Sequence, residues 1–187
     1  MLTKAIPNLL SGFRLIAAPF LLGFAWTGHK YWFLGTLAAS LLSDAVDGFV
    51  SRRLHYTSDL GTRLDSWGDM ATYLTVPLCA WWLWPELLQK EILFVGMVVA
   101  AYLIPITAGL LKFHRLPSYH TWAAKIVAVV MSVAVLVWFT TEEPGLFRFA
   151  AVLQSIVAFE EVLITWHLAR LQGNVKSLWH VKRIQGK

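Results

Sequence analysis

Cysteine occurs once in this chain, at Cys79. A lone thiol in an apolar run closes no intrachain disulfide and builds no CxxC site, so a disulfide scaffold is excluded and the residue says nothing of redox compartment. The six histidines (His29, His55, His114, His120, His167 and His180) are scattered with no metal-ligand spacing, and they read as loop or interfacial residues. No repeat period and no low-complexity segment emerges. Charged residues are only 14% of the chain, and the net charge of +5 is spread over short loops and the tail. Without a basic stripe interleaved with aromatics, nucleic acid is not an expected partner; anionic lipid or a phosphorylated substrate suits scattered cations better. Aspartate is missing from residues 1–43 and 70–187: all five (Asp44, Asp47, Asp59, Asp65 and Asp69) fall within one stretch of 26 residues.

What is abundant is apolar surface. The chain has 187 residues, 57% of them hydrophobic and 10 of them Trp, with a mean hydropathy of +0.58. That length makes about one domain, but the apolar runs are too many and too long for a soluble core. The expectation is an all-α integral membrane protein with six transmembrane helices, over about residues 7–27, 31–52, 64–84, 91–111, 121–140 and 147–168. Each is near the ~20 residues that a bilayer requires. Gly28, Pro85, Pro117 and Pro144-Gly145 punctuate the loops, whereas Pro77 and Pro105 fall inside helices, which membrane bundles tolerate. A signal peptide is the alternative for the first segment, but Arg14 interrupts it and no small-x-small cleavage site comes after it.

Orientation follows from the cations. With a cytoplasmic N-terminus, eleven of the 16 lysines and arginines lie inside (Lys4, Arg52, Arg53, Arg63, Lys112, Arg115, Arg170, Lys176, Lys182, Arg183 and Lys187), three outside (Lys30, Lys90 and Arg148) and two, Arg14 and Lys125, in the bundle. This positive-inside asymmetry places both termini in the cytoplasm. Trp26, Trp32, Trp81, Trp82, Trp84 and Trp138 would form the outer interfacial belt. Residues 1–172 are expected to make one six-helix domain and residues 173–187 a basic tail on anionic headgroups.

The aspartates then face the cytoplasm at the inner ends of the second and third spans. On a helix, Asp44, Asp47, Gly48 and Ser51 share one face, and so do Asp65 and Asp69, four apart. Two helices can therefore bring four carboxylates together. Charges so close require protons or divalent cations to neutralise them, and an all-oxygen cluster suits Mg²⁺, Mn²⁺ or Ca²⁺. Asp59, Tyr56, Thr57 and Ser58 read as loop. Arg14 and Lys125, charged at depth, require a cavity or a partner. Glu160 and Glu161 of the sixth span offer partners, although adjacent residues point about 100° apart and at most one can meet a given cation.

The spacing Asp44-x2-Asp47-Gly48-x2-Ser51-Arg52-x8-Gly61-x3-Asp65-x3-Asp69 resembles the signature of the CDP-alcohol phosphotransferases. The eight positions agree in spacing and seven agree in residue, Ser51 standing where the family usually has alanine. The opening Pro7-Asn8-Leu9-Leu10-Ser11, with Arg14 and Pro19, is similar to the first helix of phosphatidylglycerophosphate synthases and their cardiolipin-synthase relatives. The resemblance implies a six-helix homodimer of the inner membrane. Its activity would be transfer of the phosphatidyl group of CDP-diacylglycerol to an alcohol, with release of CMP in phospholipid biosynthesis. It also implies two Mg²⁺ or Mn²⁺ ions held by Asp44, Asp47 and Asp65, with Asp69 near the ions and acting as general base. CDP would lie on Asp44, Gly48, Ser51, Arg52 and Gly61: the small residues leave room for a nucleotide to approach the backbone, and Arg52 can clamp its phosphates. Lys125, Arg115 and Arg14 are candidates for binding the acceptor. Glycerol 3-phosphate is the first choice of acceptor; phosphatidylglycerol, an inositol phosphate and serine are alternatives. The rival classes are a divalent-cation transporter, which should carry polar groups across the whole span, and a lapsed enzyme, which should have lost an aspartate. Residues 31–39 and 73–84 carry no carboxylate, and no signature aspartate is missing.

Overall fold

A computed structural model describes residues 2–54, 59–114, 119, 121–168 and 175. Among the described residues the chain is all helix, and it divides into two compact units, Met1–Lys90 and Glu91–Lys187.

The first unit holds α1 (Leu2–Trp26), α2 (Lys30–Leu54), α3 (Asp59–Leu83) and the short α4 (Pro85–Lys90). Helix α1 packs on both α2 and α3. Its buried positions Arg14, Ala17, Leu21 and Ala25 recur every three or four residues, which makes them one stripe. Phe33, Leu37 and Ser40 make the matching stripe of α2, and Val76, Cys79, Ala80 and Leu83 belong to that of α3. Between α1 and α2 the chain reverses at Gly28, whose φ of 75° only glycine adopts without strain. There the amide of His29 donates to Phe24 O (2.8 Å) and that of Gly28 to Ala25 O (3.2 Å), the paired bonds of a Schellman closure.

Two boundaries differ from expectation. Helix α3 begins at Asp59 rather than near Leu64. Pro85, expected as loop punctuation, opens α4, since proline at the first helical position gives up only an amide that has no partner there.

In the second unit α7 (Gly145–His167) packs against both α5 (Ile92–Phe113) and α6 (Trp122–Thr141). Buried Glu91, just before α5, takes a two-pronged ion pair from Arg148, with Nε at 2.8 Å and Nη2 at 2.5 Å. Thr121 caps α6 by accepting the Ala124 amide at 3.1 Å. The Lys112 ammonium donates to the last carbonyls of α7, Thr165 O (3.0 Å) and Trp166 O (2.7 Å). Tyr119 packs with Ile164, Leu168 and Val175 and shares a 2.7 Å hydrogen bond with Thr165 Oγ1. Burial, the main cause, and the nearby Glu161 charge raise the pKa of its phenol above the ordinary 10.0, against the lowering effect of the Thr165 bond.

Among the described residues, three of the expected spans, α5, α6 and α7, are long and apolar enough to cross a bilayer, and Gly12–Trp26 of α1 is a further apolar segment. Helices α2 and α3 carry in their adjoining ends Asp44, Asp47, Arg52 and Arg53, and Asp59, Arg63, Asp65 and Asp69. The tryptophans of the expected belt divide by exposure. Trp26, Trp32, Trp81 and Trp82 are exposed, whereas Trp84 and Trp138 are buried. Trp84 packs edge-on against Phe33, and Trp138 stacks on Phe147 with ring centroids 4.2 Å apart. An indole in contact with core aromatics contributes more as packing than at a membrane interface.

Candidate active site

The three stripes of the first unit end in polar residues. One turn beyond Ser40 on α2 stands Asp44; one turn before Ala17 on α1 stands Arg14; and α3 brings Gly68 and Asp69 to the same level. Arg14 Nη1 lies 3.0 Å from Asp44 Oδ1 and donates a hydrogen bond to Asp69 Oδ1. One nitrogen thus joins carboxylates 25 residues apart in sequence, on separate helices. Arg14 is 3% exposed, against 35% for Asp44 and 37% for Asp69, so the guanidinium forms the floor of the site and the carboxylates its open side.

Gly68 lets α3 approach that guanidinium. A Cβ on it would lie 3.2 Å from Arg14 Cβ and 3.3 Å from its Nε, closer than a methyl group fits without displacing the arginine. Nearby hydroxyls are turned onto helix carbonyls, Ser43 Oγ onto Ser40 O (2.7 Å) and Thr72 Oγ1 onto Gly68 O (2.9 Å).

Asp44 and Asp69 are thus brought together as their spacing suggested. Asp47, Gly48, Ser51 and Arg52 belong to α2, Asp65 to α3 and Gly61 to the first turn of α3; apart from Gly61, these side chains lie outside the described set, as does Arg115. Among the described residues no three carboxylate, imidazole or thiol groups meet. The donors in hand do fit a hard divalent ion: they are all oxygen, they converge, and they already meet one cationic nitrogen.

The cations differ from expectation. Arg14, for which Glu160 and Glu161 were offered as partners, is ion-paired with the signature aspartates Asp44 and Asp69. Lys125, in the first turn of α6, holds its ammonium 5.7 Å from the centre of the Trp122 ring, and among the described residues no ion pair joins it to Glu160 or Glu161. Lys112, expected among the loop cations before α6, is bonded to the carbonyls at the end of α7. Gly68 was missed altogether, although a glycine in a helix beside Asp69 signals a close approach.

A helical membrane protein that brings two carboxylates onto one buried arginine carries a charged site within its first unit. The CDP-alcohol phosphatidyltransferase family matches residues 4–167, and the chain belongs to that family. Among curated proteins, relatives from Mycobacterium bovis and from two strains of Mycobacterium tuberculosis, each named "Putative cardiolipin synthase", are 32% identical over 99 residues. The match covers 49% of this chain and 47% of each relative, so the chain spans about half the length of the curated relatives it matches. No solved structure matches the chain.

Proposed function

We propose that the chain is an integral membrane phosphatidyltransferase, which moves the phosphatidyl group of CDP-diacylglycerol to an alcohol and releases CMP. The convergence of Asp44 and Asp69 on one cation, within a signature carried by α2 and α3, is the observation that supports this reading most. In it, Asp44, Asp47, Asp65 and Asp69 hold Mg²⁺ or Mn²⁺, two ions in all. Bound there, the ions would neutralise the phosphate oxygens and hold the attacking and leaving oxygens in line. Gly48, Ser51 and Gly61 admit the nucleotide, and Arg52 clamps its phosphates. Asp69 takes the proton of the acceptor hydroxyl as the new P–O bond forms and the bond to CMP breaks.

Six spans, cytoplasmic termini, a site on the cytoplasmic face of the inner membrane and a homodimer complete the proposal. The acceptor assigned first is glycerol 3-phosphate, with Lys125 and Arg115 as a cationic locus for its phosphate. The name of the mycobacterial relatives favours a second reading, in which phosphatidylglycerol is the acceptor and cardiolipin the product. Purified protein incubated with CDP-diacylglycerol, Mg²⁺ or Mn²⁺ and a panel of alcohols tests both. CMP release with glycerol 3-phosphate supports the first reading, and release with phosphatidylglycerol alone replaces it by the second. No CMP release with any acceptor refutes the transferase.

A further inference from the structure

The proposed function treats Asp44 and Asp69 as ligands of a divalent ion, yet both already share a cation of the protein's own. On that reading, we propose that Arg14 is a positioning residue: it is the resident counter-cation of Asp44 and Asp69 and competes with the divalent ion for their oxygens. Arg14 Nη1 stands 3.0 Å from Asp44 Oδ1 and bonds Asp69 Oδ1. A small divalent ion binds oxygens at about 2.0 to 2.1 Å, so an ion taking both oxygens needs the space between them that Nη1 fills.

The position is built rather than incidental. Arg14 is 3% exposed and continues the buried stripe of Ala17, Leu21 and Ala25, so α1 anchors its stem. Gly68 makes room for the guanidinium, since a Cβ there would come within 3.2 to 3.4 Å of Arg14 Cβ, Nε and Cζ. A guanidinium stays charged throughout the working pH range, so deprotonation of the arginine cannot release the carboxylates, whereas a stronger cation can. Without either cation, two partly buried carboxylates would repel each other across a medium of low polarity. Arg14 therefore keeps the pair in place for the ion and weakens the ion's hold by the same contacts, since coupling between two ligands of one site is reciprocal.

The test uses the full-length protein in detergent, stripped with EDTA, with Mn²⁺ binding tracked by the paramagnetic resonance of the free ion. Arg14→Gln keeps a polar side chain of similar length and removes the charge. Its metal-free melting temperature should fall, and Mn²⁺ should bind about tenfold more tightly than to the wild type. In Arg14→Gln/Asp69→Asn, which removes one of the two carboxylates, part of the lost metal-free stability should return; no recovery overturns the counter-charge role. Mn²⁺ affinity that is unchanged or weaker in folded Arg14→Gln overturns the competition. Should Arg14→Gln fail to fold, Gly68→Ala displaces the guanidinium by a few tenths of an ångström and should tighten Mn²⁺ binding in the same direction; unchanged or weaker binding there also overturns it. Failure of the underlying function looks different: if neither wild type nor variant takes up Mn²⁺, the metal site falls and the competition with it, whereas uptake that the variants do not alter refutes only the role of Arg14.

Discussion

Replacing Asp69 by asparagine separates the chemical role of this carboxylate from its structural one. Asparagine has nearly the same shape and keeps a carbonyl oxygen for Arg14 Nη1, while Arg14 retains Asp44 at 3.0 Å. The loss to folding is the difference between an ion pair and a hydrogen bond from the same guanidinium to a neutral oxygen, at a site 37% exposed, about 1 kcal/mol. For a chain of this size that lowers the melting temperature by about 2 to 4 °C. Removing a general base costs about 10² to 10⁴ in rate, which is about 2.7 to 5.5 kcal/mol on the barrier. Turnover should therefore fall at least about a hundredfold in a protein that stays folded. CMP release from CDP-diacylglycerol at saturating acceptor measures the first quantity and thermal unfolding in detergent the second. CDP affinity, measured by titration, should be largely spared in Asp69→Asn and weakened together with metal binding in Asp44→Asn. Equal loss of CDP affinity in both variants would refute the division of labour, and full turnover in either would refute the site.

A green fluorescent protein fused after Lys187 should fluoresce in a bacterial host; activity of a periplasmic reporter at the same position instead would refute six spans with cytoplasmic termini. Lys125→Ala should raise the KM for glycerol 3-phosphate strongly and leave that for CDP-diacylglycerol nearly unchanged, the mark of lost ground-state binding; a well-folded variant with an unaltered acceptor KM would end the assignment. Tyr119 should make the second unit sensitive to alkali. Its folded-state pKa is raised above 10.0, chiefly by burial, so the folded state holds a proton that the unfolded chain releases first. The stabilisation is fully present below pH about 10 and is lost as pH rises through the folded value. Thermal unfolding between pH 8 and 11 should show that alkaline loss in the wild type and less of it in Tyr119→Phe; identical profiles would refute it.

Much of the protein can be read without coordinates. Apolar runs of about 20 residues between Gly and Pro breaks specify helices, because a chain in lipid must satisfy its backbone within each segment. Six of those runs correspond to α1, α2, α3, α5, α6 and α7. The signature aspartates were legible for a similar reason, since helical spacing alone puts Asp44 with Asp47 and Asp65 with Asp69 on common faces. Periodicity does not say what a face meets. That Trp84 and Trp138 are buried while Trp26 and Trp82 are exposed depends on which neighbours lie alongside, and a tryptophan pattern reads the same in either case. Pro85 shows the same limit locally, because a proline serves as loop punctuation or as helix start according to whether the residues after it go on to form a helix.

The composition and spacing of this chain determined its helices, its apolar character and the helical spacing of the aspartates along α2 and α3, all of which arise between near neighbours in sequence. Only the tertiary structure decided which cation those carboxylates meet. Arg14 lies 30 residues before Asp44 and 55 before Asp69, and its meeting with both required α1 to pack on both α2 and α3 with glycine at position 68 to admit the guanidinium. A long-range ion pair is set by where whole helices come to rest, and no local pattern along the chain records that distance.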